Sequence, residues 1–207
     1  QTDISVALED DVSGLTEVVV TGYSGQQRKK IVGAVSTVKG ENSMLVDFGK
    51  ETFGFLKLHN LKGNGKISIY YGESKEEALD AAEAMTLDRL TINQSAAKDS
   101  VMPLSKAFRY VNIVSESDAV SFEDVSMLYE YADVKQRGSF SCSDDEINRI
   151  LEVAKYTLEL NTREFFIDGI KRDRWVWSGD ALQSYLMNYY SYFDNPTVTR
   201  TIQALRG

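Results

Sequence analysis

The 207 residues carry 31 acidic against 23 basic side chains, a net charge of −8, with 43% hydrophobic and 26% charged residues. That is the balance of an ordinary globular protein with room for one or two domains. The acidic excess argues against a nucleic-acid partner, because phosphate binding needs clustered Lys and Arg, and Arg28-Lys29-Lys30 is too short a cluster to supply them. A single cysteine, Cys142, excludes an intrachain disulfide and reads as a small buried or half-buried side chain. One His and no Cys/His cluster argue against a zinc site, and no cofactor is implied. His59 lies in an alternating pattern and reads as a strand residue. No apolar run approaches the roughly 20 residues of a membrane helix. No signal peptide opens the chain, so an exported protein would already have lost its leader.

In chain order, residues 1–42 are rich in Asp, Ser, Gly and Val, with short strands expected only at Ile4 to Leu8 and Glu17 to Thr21. So little apolar surface predicts an extended or flexible arm. Residues 43–134 alternate as half-buried strands do, best at Met44 to Phe48, Phe53 to Leu58, Ile67 to Tyr71, Phe108 to Val114 and Val125 to Tyr131. Lys62-Gly63-Asn64-Gly65 suits a hairpin turn, and Lys75 to Ala84 favours a helix. An antiparallel β-sandwich fits this spacing.

Beyond residue 135 the period becomes helical. Ser143 and Glu146 have capping-box spacing before Ile147, Ile150, Leu151, Ala154 and Leu158. A second helix places Leu182, Tyr185, Leu186, Tyr189, Tyr190 and Phe193 on one face. Asn195 and Pro196 read as the cap and first turn of a third, with Val198, Ile202 and Leu205 inward and Gly207 at its end. Three amphipathic helices need partners, so the helical part reads as truncated.

Between the first two helices, Asp168 to Asp180 packs three carboxylates, three bases and two tryptophans into 13 residues. Trp faces stack on sugar rings, and carboxylates and Arg bind sugar hydroxyls. Glycosidic cleavage also needs a carboxylic acid to protonate the departing oxygen. The same composition equally permits a structural ion network of Lys171, Arg172 and Arg174 with Asp168, Asp173 and Asp180, the tryptophans being core.

This segment resembles the signature of glycoside hydrolase family 78, the α-L-rhamnosidases, in which an Asp, an Arg, an acid and a Trp-x-Gly-Asp recur at these spacings. Val46-Asp47-Phe48-Gly49-Lys50-Glu51 with Gly54, then Tyr71-Gly72-Glu73 and Phe108-Arg109-Tyr110-Val111, resemble strands of that family's β-sandwich. Gly138-Ser139-Phe140 with Ser143-Asp144 and Ile147-Asn148 resembles the start of its (α/α)6 barrel. The resemblance implies β then α: a sandwich over 43–134 followed, over 135–207, by the first helices of an incomplete barrel. It implies that Asp173 is the catalytic general acid of an inverting enzyme, and that Asp168, Arg172, Trp177 and Asp180 bind rhamnose in a glycan or glycoside. Trp175 has no firm counterpart and reads as core or pocket wall. The family's acid is usually Glu, one methylene longer, and its general base lies beyond this sequence, so the chain by itself is expected to be inactive.

Leu15 to Tyr23 resembles something else, the TonB-box region of starch-utilisation-type outer-membrane transporters of Bacteroidetes, with Leu8-Glu9-Asp10 before it and a plug-like Ile31 to Val38 after it. That resemblance implies export to the periplasm or outer membrane and an energy-transducing partner bound by strand addition. A plain buried strand at Val18 to Val20 is the simpler alternative. The rival functions are therefore an enzyme part, a non-catalytic carbohydrate-binding module and a transporter-derived interaction segment.

Overall fold

The computed structural model describes residues 27–33, 36–39, 42–116 and 119–207. An antiparallel sheet comes first and helices follow. Lys30–Glu130 and Tyr131–Gly207 each make up a compact unit. The expected strands at Ile4 to Leu8 and Glu17 to Thr21, and the TonB-box-like segment, lie outside the described residues.

The strands are β1 (Gln27–Gly33), β2 (Ser36–Lys39), β3 (Ser43–Gly72), β4 (Leu87–Val101), β5 (Lys106–Ser115), β6 (Val120–Ser121) and β7 (Asp124–Ala132). One seven-stranded sheet runs β1-β7-β3-β2, with β4, β5 and β6 also paired to β3. Of the expected arm through residue 42, the structure describes residues 27–33, 36–39 and 42. Ser36 to Lys39 pair with Asp47 to Met44, so β2 belongs to the sheet.

The three strands expected between Met44 and Tyr71 are one 30-residue extended run, β3. It changes direction at Gly49, Asn60 and Gly63, whose φ angles are 81°, 51° and 122°. The first leg pairs with β2 and β5, the second with β5, β7 and the end of β4, and the third with β4 and again β5. The Lys62–Gly65 hairpin turn is not formed. Lys62 and Gly63 pair with β6, and Gly63 to Lys66 pair with β4. Glycine is needed here for close approach: a Cβ on Gly63 would sit 1.9 Å from the Ala119 carbonyl oxygen. A short helix, α1 (Lys75–Leu79), replaces the expected Lys75–Ala84. It stops because the Asp80 carboxylate accepts the N–H groups of Ala82 and Glu83 and turns the chain away.

Alternation along β3, β5 and β7 gives the core, in which Val46, Leu58, Ile67, Ile69, Phe108 and Val111 are fully buried. Phe108 centres it, with Phe48 and Tyr71 packed edge-on and tilted at 5.4 and 5.1 Å. At the sheet surface Arg109 makes a two-pronged contact with Asp47, at 2.9 and 3.1 Å. Burial pushes the Asp47 carboxyl up, but the Arg109 guanidinium and the Gly49 N–H outweigh it and hold it below the ordinary carboxylate range.

The second unit holds α2 (Asp145–Asn161), α3 (Ser178–Ser191) and α4 (Asn195–Arg206). Caps sit one residue from those expected. Asp144, not Ser143, accepts the N–H groups of Glu146 and Ile147, and Asp194, not Asn195, accepts that of Thr197. A carboxylate opposite the positive end of a helix is the stronger acceptor. The expected inward faces are also corrected. On α2, Ile147 and Ile150 are exposed and Leu158 is buried. On α3, Leu182, Leu186, Tyr189, Tyr190 and Phe193 are exposed, while Ala181, Asn188 and Ser191 are buried and Tyr185 is half-buried. On α4, Thr197 and Thr201 are buried, and Ile202 and Leu205 are exposed.

Backbone hydrogen bonds explain the choice on α3. The Ser191 carbonyl, free at the helix end, accepts from the N–H groups of Arg137 and Gly138 at 2.8 and 2.7 Å. A Cβ on Gly138 would lie 1.8 Å from the Tyr190 carbonyl oxygen, so only glycine permits this contact. The small core of this unit is Leu158, Phe166 and Tyr192. The Tyr192 hydroxyl donates to the Lys155 carbonyl, and burial, with Glu159 and Glu152 nearby, pushes its pKa up to about 12.

The Asp47–Arg109 contact sets a pH dependence. A carboxyl with a depressed folded pKa stabilises the fold above its unfolded value near 3.9, and this is lost as pH falls through the lower folded value. Arg109 is 38% exposed, so solvent screening limits the contribution to about 1 kcal/mol. In urea titrations Asp47→Asn is expected to be less stable than wild type by about that amount at pH 7. The gap should close below pH 4.

Candidate functional site

The loop between α2 and α3 rests on a buried base. Thr162 and Phe166 form an isolated antiparallel bridge, and the Ile167 N–H donates to the Asn161 carbonyl at 3.0 Å. Phe166 is 2% exposed, and its N–H donates to the Thr201 hydroxyl of α4 at 3.0 Å. That hydroxyl donates in turn to the Thr197 carbonyl at 2.8 Å. A second tie to α4 is Arg200, whose Nε donates to the Glu164 carbonyl at 2.6 Å.

Above this base Asp168 closes the loop on Trp175. The Asp168 N–H donates to the Trp175 carbonyl at 2.9 Å, and the Trp175 N–H donates to Asp168 Oδ1 at 2.8 Å. Residues 170–173 turn between them, with Ile170 buried. Arg172 and Asp173 lie at the tip, their side chains 73% and 52% exposed, with Nε 3.6 Å from Oδ1. Trp175 and Trp177 are 63% and 52% exposed. Trp177 occupies the N-cap position of α3, and Asp180 sits in the first turn, where the helix dipole favours a carboxylate.

Five residues singled out from sequence thus occupy one loop and the helix start that follows it. Arg172 meets Asp173 directly, and Asp168 holds the loop closed, leaving one carboxylate oxygen not engaged by Trp175. Among the described residues no hydrogen bond or ion pair joins Trp177 or Asp180 to the tip. Trp175, read as core or pocket wall, is one of the more exposed apolar side chains of the unit, which disfavours the core alternative. Of the ion-network alternative, the described residues show an exposed Arg172–Asp173 contact, worth little in water. Sequence reasoning passed over Thr201, whose only signal is a small hydroxyl on a face that ought to be apolar.

Two other places were weighed. His59 Nε2 lies 2.6 Å from the Ser126 hydroxyl and its Nδ1 3.5 Å from Asp99, an order that outlines a nucleophile relay. Ser126 is 3% exposed beneath the imidazole, which leaves its hydroxyl no path to a substrate. A shallow groove along α2, lined by Asp145, Glu146, Arg149, Ile150, Val153 and Ala154, includes none of the loop residues. Among the described residues no three His, Cys, Asp or Glu side chains cluster to hold a metal, and no helix is long and apolar enough to cross a membrane.

The base of the loop is testable through Thr201. Thr201→Val keeps the shape and removes the hydroxyl, leaving the buried Phe166 N–H without its acceptor. The expected loss is about 1–3 kcal/mol in the stability of the helical unit, read by chemical denaturation followed by far-UV circular dichroism.

Two family models match the chain. The N-terminal domain of Bacteroidetes α-rhamnosidase-like proteins matches residues 21–113, and the six-hairpin glycosidase domain of bacterial α-L-rhamnosidase matches residues 135–207. An α-L-rhamnosidase of Formosa agariphila is 24% identical over 172 residues, covering 74% of this chain and 18% of that protein. The structure of the rhamnosidase from Klebsiella oxytoca with rhamnose bound is similar at a TM-score of 0.71 and 22% identity, over 81% of this chain and 36% of that one. For the α-L-rhamnosidase of Dictyoglumus thermophilum the TM-score is 0.72 at 19% identity, over 89% of this chain and 22% of that one. These are likenesses to α-L-rhamnosidases, and the chain spans 18% of the curated relative's length. The plug-like stretch Ile31 to Val38 lies inside the match to the rhamnosidase-like domain, so the transporter resemblance and its energy-transducing partner find no support.

Proposed function

We propose that the Asp168–Asp180 loop is the acid-bearing half of the active site of an inverting α-L-rhamnosidase, which releases terminal α-L-rhamnose from glycans or glycosides. What carries the reading is the concentration of Asp168, Arg172, Asp173, Trp177 and Asp180 on one closed loop and helix start, inside the stretch matched by the six-hairpin glycosidase domain.

In this reading Asp173, protonated, gives its proton to the glycosidic oxygen as the bond to the anomeric carbon breaks. Trp177 offers a ring face to the apolar side of the sugar. Asp180 and the oxygen of Asp168 not engaged by Trp175 accept from its hydroxyls. Inversion requires a second carboxylate about 6.5–9.5 Å from the acid, so that a water fits between it and the opposite face of the sugar. We assign that base to sequence outside these 207 residues. The chain alone then has a proton donor and sugar-binding groups but no water activation, and it does not turn over rhamnosides.

The test has two parts. With an aryl α-L-rhamnoside the chain is expected to release no phenol, whereas turnover that disappears in Asp173→Asn would show that a base lies within the chain. With free L-rhamnose, tryptophan fluorescence is expected to change in a saturable way that Trp177→Ala abolishes and D-glucose does not reproduce. A flat titration would refute the sugar-binding assignment.

A further inference from the structure

Arg174 is one of the three bases of this loop, without a site role in the sequence reading, and its backbone is the loop's most unusual. Its φ is 52°, in the left-handed region that Gly or Asn adopts readily and a long side chain does not. From that position its Nε donates to the Ile170 carbonyl at 2.8 Å, four residues back. The guanidinium therefore bridges the base of the turn 170–173, inside the wider ring that Asp168 and Trp175 close with two hydrogen bonds. Only Lys171, Arg172 and Asp173 lie between the ends of the inner bridge. Arg172 and Asp173 carry exposed side chains whose charged partner is each other, at 3.6 Å. Such a contact in water cannot fix a backbone by itself. The two bridges beneath the tip are contacts that can order it.

We propose that Arg174 is a positioning residue, whose Nε–Ile170 bridge holds the turn that presents Arg172 and Asp173 together. The proposal rests on the reading that Asp173 is the proton donor. A left-handed residue other than glycine is strained and persists where the surroundings hold it. The hydrogen bond to Ile170 is one contact that holds it here. Glycine at this position would relieve the backbone and lose the bridge. Proton transfer needs hydrogen-bond reach of the departing oxygen, and a displacement of about 1 Å can lower a rate on the order of 100-fold. An Asp donor, with a short side chain, depends on its backbone position more than a Glu would.

The experiment is backbone NMR on the 207-residue chain, comparing wild type with Arg174→Met and Arg174→Lys. Without sugar, the amides of Arg172 and Asp173 are expected to show heteronuclear NOE values like those of α2 and α3. Both variants should lower them to values typical of a mobile loop, with the helical amides unchanged. Lysine keeps the charge but has no donor where Nε stands, so a role through charge would be rescued by Lys and a role through position would not. Unchanged order at Arg172 and Asp173 in Arg174→Met, rescue by Arg174→Lys, or loss of protection throughout α2 and α3 would each overturn the proposal. L-Rhamnose is then added. A saturable shift at the Asp173 amide in wild type, lost in Arg174→Met, is expected. Absence of any shift in wild type would defeat the sugar-site reading, while the sugar-free comparison still decides the role of Arg174.

Discussion

A buried peptide N–H must find an acceptor, and the one at Phe166 finds it 35 residues along the chain, in the hydroxyl of Thr201. That bond joins the start of the loop to α4 at a site closed to water. Everything functional stands on it in sequence: the Thr162–Phe166 bridge, the turn back at Ile167, the Asp168–Trp175 ring and the exposed tip. It also explains why α4 buries threonines where apolar periodicity would have put isoleucine and leucine. Thr201 must be inside to accept from Phe166 and to donate to Thr197, and Ile202, one position on, is consequently turned outward.

Much of the first unit was legible because half-buried strands announce themselves by alternation. Val46 and Phe48, Leu56 and Leu58, Ile67 and Ile69 are all core, as their spacing implies. β4 escaped because Leu87–Val101 is largely exposed: Gln94, Ser95, Lys98 and Asp99 give it no apolar period, and partners on β3 alone make it a strand. Gly63 misled for a related reason. Glycine and asparagine in a row signal a tight turn, but here glycine answers the close approach of the Ala119 backbone, a tertiary fact with no local signature.

In the helical unit the elements were legible and their orientation was not. Helix existence depends on caps and propensity, which are local. Which side faces inward was decided by polar groups: the Ser191 carbonyl taken up by Arg137 and Gly138, and the side chain of Asn188, which accepts from the Asp194 N–H. An amphipathic stripe records what a helix would bury given an apolar partner. It does not say whether a nearby hydrogen-bonded loop will claim the other side. For the site, the sequence and a family resemblance brought together the chemically able residues, while the geometry that organises them, the Asp168 closure and the left-handed Arg174, could be seen only in three dimensions.

The outward stripe on α3 bears on how the protein behaves as a colloid. Leu182, Leu186, Tyr189, Tyr190 and Phe193 together present a rigid surface of rings and methyl groups, with Tyr189 packed edge-on against both Tyr190 and Phe193. Opposing its self-contact is a net charge of −8 on the whole chain, whose repulsion reaches only as far as the ionic atmosphere permits. That reach is about 30 Å at 0.01 M salt and about 8 Å at 0.15 M. Dilute buffer therefore keeps molecules apart by charge, whereas physiological or higher salt leaves the aromatic stripes free to meet. Kosmotropic salts such as sulfate push further the same way by strengthening apolar burial. Ionic strength is thus one lever on how long this 207-residue chain stays dispersed.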